Sequence, residues 1–219
     1  MYLLILRGVI LKKSKLFFLN AAILVITSII IRTSDIFFNV YITNKIGAEG
    51  IGIFQIIMSV YIFAITVASS GISIATLRLV TEQMSNSNIS GVKKVVHQSM
   101  IYSLLFSFLA SLILISSAKF ITSNCLHNKI SPVSLYVISI GLPFISMSAS
   151  INGYFAAIRK ISKTAISQIL EQSVKIISTL ILLSFLFKKG LDYTCICLVS
   201  GDVISEFASF LLIYIYIIN

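Results

Sequence analysis

The 219 residues include no Trp, two Pro and seven acidic side chains, and only 11% of them are charged. Each shortage removes a class of protein. A soluble domain of this length covers itself with charge. Here 58% of residues are hydrophobic and the mean hydropathy is +1.03, more apolar side chain than one soluble core hides. The bilayer is the solvent that accepts such a chain. The three cysteines, Cys125, Cys195 and Cys197, are odd in number and lack a paired spacing, so neither a disulfide framework nor a metal site is expected. Cys195 and Cys197 are two apart on an expected helix, point to nearly opposite sides and read as small apolar side chains. His97 and His127 have no ligand companions and read as interfacial histidines. No Gly-rich phosphate loop, nucleophile–base set or metal-ligand cluster is present, so no enzyme, cofactor or catalytic residue is expected. The shortage of acids leaves a net charge of +10. Its basic residues sit in short connections between apolar runs, which is the pattern of membrane topology and not of a nucleic-acid face.

What remains is a series of long apolar runs. Within a bilayer every backbone group needs an internal partner, so spans are helices or a closed barrel. Barrel strands alternate in polarity over about ten residues, whereas these runs are continuously apolar and far longer. The expectation is an all-α polytopic membrane protein. Residues 1–15 read as a cytoplasmic lead-in, with no cleavage site of a signal peptide. Residues 16–219 read as a bundle of six transmembrane helices, over 16–43, 50–77, 95–118, 132–157, 164–187 and 193–218. Polar loops are expected over 78–94 and 119–131, and basic turns at 159–163 and 188–192. Each span is long enough at about 1.5 Å per residue to cross roughly 30 Å of hydrocarbon. Ten basic residues fall on the side of the N-terminus and the 78–94 loop, against five on the other. That asymmetry predicts a cell-membrane protein with both termini in the cytoplasm.

Intramembrane charges are costly and by default suggest function. Span one carries Arg32 and Asp35, three apart and able to pair. Span five carries Glu171 and Lys175, four apart with the acid first. Span six carries Asp202 and Glu206, both acidic and without a local partner: either one is protonated, or they meet Arg32, Lys175 or another helix, a partner from outside the six spans included. Two readings stand. The pairs hold the bundle together, or they line a polar cavity whose basic members attract an anionic headgroup. Two helix hinges are expected, at Gly71 in span two and at Gly141 with Pro143 in span four. Tyr102, Tyr136, Tyr154, Tyr214 and Tyr216 fit interface or packing roles.

Three stretches carry a resemblance. Residues 46–55, Ile-Gly-Ala-Glu-Gly-Ile-Gly-Ile-Phe-Gln, resemble the "IGAEGIGLYQ" signature of the stage V sporulation protein B group. That group is a polysaccharide-biosynthesis and lipid-flippase branch of the MOP superfamily. Residues 153–160 running into 164–172 resemble its "GYF…R…(T/S)AISQ(V/I)xEQ" region, and Gly201-Asp202-Val203-Ile204-Ser205-Glu206 is a third match. The resemblance implies the N-terminal lobe of a MATE-like, two-lobe flippase, with a partner lobe still to complete a central cavity. Basic residues there, Arg32, Arg78 and Lys175, would hold a lipid-linked sugar or its pyrophosphate, and Asp35, Glu171, Asp202 and Glu206 would be charge partners or coupling groups. The implied role is to flip a peptidoglycan or oligosaccharide precursor during spore-cortex or envelope synthesis. The chain departs from the pattern in three places. Asp35 stands at a usual glycine, Phe38-Asn39 replaces a Tyr-Arg pair, and Ser73 replaces a proline. Two alternatives stay open, a drug antiporter coupled to H⁺ or Na⁺ and a non-transporting membrane bundle.

Overall fold

A computed structural model describes residues 2–125, 132–186 and 191–218. The expected turn around Lys188 and the loop holding His127 therefore lie outside the described residues, as do the side chains of residues 2–17 and of Cys125. The described chain is helical, in six elements: α1 (Tyr2–Ser69), α2 (Ile72–Ser85), α3 (Ile89–Cys125), α4 (Val133–Ala157), α5 (Ile161–Leu186) and α6 (Leu191–Ile218). Among the described residues five helical stretches are long and apolar enough to cross a membrane, and the first of them, Phe18 to Ser85, is interrupted at Gly47 and again at Gly71.

A straight α1 of 68 residues would extend about 100 Å at 1.5 Å per residue, three times the hydrocarbon thickness. It is not straight. Gly47 has φ 75° and ψ 171°, outside the helical region. Arg32 and Ile62 line one cavity, although 30 residues of continuous helix would hold them about 45 Å apart. The chain therefore doubles back at Gly47, and α1 consists of two arms lying side by side. The first arm packs Phe38 and Ile42 on Leu183 of α5 and Leu198 of α6. The second packs Ile53, Ile57 and Tyr61 on α3 and α4.

Three boundaries differ from expectation. The loop expected over 119–131 begins as helix, because α3 runs on to Cys125. Span two was expected to run to residue 77, but the helix stops at Ser69. Gly71 is left-handed, with φ 75° and ψ −13°, and α2 starts just beyond it. No atom lies within 4 Å of a Cβ built on Gly71, so its conformation is the reason for the break. The expected loop over 78–94 is mostly helix. It contains the end of α2 and the start of α3, with only residues 86–88 between. Thr76 and Val80, four apart, form the buried edge of α2. The Asn- and Ser-rich stretch that reads as loop, residues 85–90, covers only the last residue of α2, the short connection and the first residues of α3.

Helices α4 and α6 are central: 56% and 50% of their most apolar windows are buried, against 22% in α3 and 17% in α5. The outer helices turn large apolar residues such as Phe63, Ile113 and Phe185 outward, as lipid-facing helices do. Helix α4 continues through Pro143, where a hinge was expected. Proline lacks the N–H that would bond the carbonyl four residues back, at Ser139. Ser111 of α3 donates its hydroxyl to that carbonyl at 2.9 Å, so a neighbouring helix satisfies the freed group. At one end of the bundle Asn20 of α1 donates to the Arg159 carbonyl in the α4–α5 turn. The starts of α3 and α5 and the ends of α4 and α6 gather at this same end.

Candidate functional site: a polar seam across the bundle

Polar side chains recur on helical faces that meet inside the bundle. On α5, Gln168, Glu171, Gln172 and Lys175 follow i, i+3, i+4, i+7 spacing and share one face. On the first arm of α1, Ser28, Arg32, Asp35 and Asn39, at i, i+4, i+7 and i+11, also share one face. These two faces oppose each other. Gln172 Nε2 donates to Asp35 Oδ1 at 2.9 Å. Lys175 Nζ reaches across to α6 and pairs with Asp202 Oδ1 at 2.8 Å, with side chains 24% and 7% exposed. Glu206, one turn further along α6, accepts a hydrogen bond from the Tyr61 hydroxyl on the second arm of α1. Three contacts thus link α1 to α5, α5 to α6, and α6 back to α1.

Gly141 is what lets this seam close. A Cβ there would collide with Glu206 and crowd the Tyr61 hydroxyl and Val203. The glycine thus serves as a gap in α4 that admits the carboxylate, a use of small residues common where membrane helices cross. The second oxygens, Asp202 Oδ2 and Glu206 Oε2, are buried without a hydrogen-bond partner among the described residues.

The pairs expected within single helices are not the ones formed. Arg32 and Asp35 do not pair: Asp35 takes its hydrogen bond from Gln172, and Arg32 is exposed and bonds no other described residue. Glu171 and Lys175 do not pair within 4 Å either, because Lys175 answers the more deeply buried Asp202. Burying a carboxylate without a counter-ion costs more than leaving one near a cavity. Arg78 stands apart, exposed on α2, which packs mainly on α3 and α4. Tyr61, Gln55, Gln168 and Gln172 were not named as site residues from the sequence. The period of α5 could have pointed to Gln168 and Gln172. Tyr61, one phenol in an uncharged run, carries no such signal.

Three cavities open along the α1–α5 flank, one of them lined by Phe37, Tyr41, Ile176 and Leu180, and Arg32 and Asp35 line the other two. Of these two, one, of about 380 Å³, is closed by Gln168, Glu171 and Gln172. The other, of about 620 Å³, runs between the two arms of α1 past Gln55 and Ser59 to Lys175. A cation with no internal partner on a polar wall suits an anionic ligand.

A family model described as "Polysaccharide biosynthesis protein" matches residues 17–219. The chain belongs to that family. It is also 24% identical, over 199 residues, to the stage V sporulation protein B of Bacillus subtilis strain 168. The match covers 91% of this chain and 38% of the relative, so the chain spans less than two-fifths of that curated protein. No solved structure is a significant match. Family and fold together make this a multi-pass membrane protein, whose polar seam lies among helices built for lipid.

Proposed function

We propose that the chain is the N-terminal lobe of a membrane transporter that flips a lipid-linked oligosaccharide or peptidoglycan precursor, and that it is not an enzyme. The observation that carries this reading is Arg32: exposed, without a partner among the described residues, on the shared wall of a polar cavity and a larger one of mixed lining. On this reading the two arms of α1 each cross the membrane, which together with α3 to α6 makes six spans in a MATE-like arrangement. Both termini lie on the cytoplasmic face of the cell membrane, and a second lobe faces the α1–α5 flank to complete the path. The family description and the similarity to a sporulation protein support envelope or spore-cortex polysaccharide synthesis as the setting.

Arg32→Gln, in the full chain in nanodiscs, is expected to weaken binding of a polyprenyl pyrophosphate by roughly tenfold, the weight of a charged hydrogen bond. Inorganic pyrophosphate should compete in the parent protein. Equal binding by Arg32→Gln and the parent would remove the anion-site reading.

A second reading, an H⁺- or Na⁺-coupled antiporter, is favoured by one observation, the buried oxygens of Asp202 and Glu206 that bond no other described residue. It predicts that Na⁺ raises the thermal stability of the purified chain relative to choline. That rise should disappear in Glu206→Gln. A melting temperature indifferent to Na⁺ and to pH would leave the flippase reading alone.

A further inference from the structure

On the opposite flank from the Arg32 cavities lies a groove of about 720 Å³ between α3, α4 and α6. Its walls are apolar: Met100 and Leu104 on α3, Met147 on α4, Phe210 and Tyr214 on α6. Its mouth differs. Lys93 and His97, one turn apart at the start of α3, stand at the rim, both exposed and neither bonded to another described residue.

The surroundings of the mouth share one sign of charge. Lys163, at the start of α5, sits 3.7 Å from the ring centre of Tyr216, next to the groove-lining Ile217. Arg159 and Lys160 occupy the adjoining turn, and Lys94 follows Lys93. Across residues 78–100, 154–163 and 207–218, which form this end of the bundle, Glu82 is the only acid against six Lys and Arg.

We infer that this groove is a binding site for an anionic diacyl phospholipid, with an acyl chain along Leu104 and Phe210 and the phosphate at Lys93 and His97. Each part of the site has one job. The apolar walls receive a chain but do not discriminate among lipids, since every phospholipid supplies one. Discrimination falls to the rim, where the Lys93 ammonium, bonded to no other described residue, attracts a headgroup with net negative charge more than a zwitterionic one, and His97 offers a ring N–H to the phosphate. The aromatic hydroxyls of Tyr154 and Tyr214 suit the boundary between the two zones. Such a lipid would brace the α3–α6 flank while the charged seam on the other flank stays open.

The absence of Trp from the chain makes a clean test available. Ile101→Trp places the sole tryptophan on the groove wall at a 47% exposed position, and Ile113→Trp places one on the same helix beyond the groove. Each protein is reconstituted with dibrominated phosphatidylglycerol or dibrominated phosphatidylcholine, and quenching gives the relative association of the two lipids. The expected preference for phosphatidylglycerol is roughly fivefold at Ile101→Trp, what one lysine near a membrane surface contributes. It should be near one at Ile113→Trp. Adding Lys93→Gln and His97→Gln should bring the groove value to near one. Leu211→Trp, 42% exposed on the facing wall, repeats the measurement if Ile101→Trp does not fold. Equal association of the two lipids at the groove overturns the inference, as does a preference that survives the double rim variant. Weak quenching by both lipids overturns it too, because protein then covers the groove.

Discussion

Lys175→Met is expected to destabilise the bundle by about 3 kcal/mol, the lower end of what breaking a buried ion pair costs. The reasoning starts with Asp202, 7% exposed between helices, whose Oδ1 has Lys175 as partner and whose Oδ2 has none among the described residues. Without the ammonium, the carboxylate is left in a site built to exclude water. The estimate stays at the low end because Lys175 keeps 24% of its side-chain surface and borders the larger cavity. Asp202→Asn alone should cost less, since an amide demands less solvation than a carboxylate. Combined with Lys175→Met it should recover most of the loss, because neither buried charge then remains. Unfolding free energies in mixed micelles decide the matter. A loss under about 1 kcal/mol, the range of a solvent-exposed pair, would mean that water reaches Asp202. A double variant no better than Lys175→Met would mean that the lysine acts through packing.

Lys175 was among the partners expected for Asp202, and that pair forms, but the pairs expected within α1 and within α5 do not, which shows where reading from sequence stops. Sequence spacing within one helix is a sound guide to which residues share a face, and Glu171 and Lys175 do share one. It says nothing about what stands opposite. Asp202 lies 27 positions from Lys175 and Tyr61 lies 145 from Glu206, so both contacts depend on how helices pack. The later spans were legible for the same physical reason. Expected limits of 132–157 and 193–218 meet helices at Val133–Ala157 and Leu191–Ile218. There the apolar run and the helix end within about two residues of each other. Around residue 71 they do not. Apolar residues continue to Leu77, while the backbone turns left-handed at Gly71, and composition does not register a dihedral angle. Pro143 shows the neighbour's part from another side. A proline reads as a hinge, but the carbonyl it frees is taken up by Ser111 from another helix, and the helix runs on.

Gly47→Ala should have the second large effect, and it bears on how the cavity is made. At φ 75° and ψ 171° the residue lies in a region that glycine alone populates freely. No atom lies within 4 Å of an added Cβ, so the methyl meets no neighbour and its whole cost is backbone strain. That cost is about 1–3 kcal/mol. Gly52→Ala is the matched control. Gly52 is helical and also has open space around its Cβ position, so the same change there should stabilise by about 0.5–1 kcal/mol. Opposite signs five residues apart are hard to produce in any other way than by a turn that depends on Gly47. Spin labels at Ile36 and Ile62, which line the same cavity from opposite arms and are 64% and 59% exposed, report the consequence. In the parent protein their distance distribution should be short and narrow, and Gly47→Ala should broaden it toward longer values. Should the two alanine variants be equally stable and the distances unchanged, the reversal of the chain does not rest on Gly47. If the arms do part, Arg32 loses the facing wall of Gln55 and Ser59. The cavity would then depend on one glycine dihedral, with every charged side chain still in place.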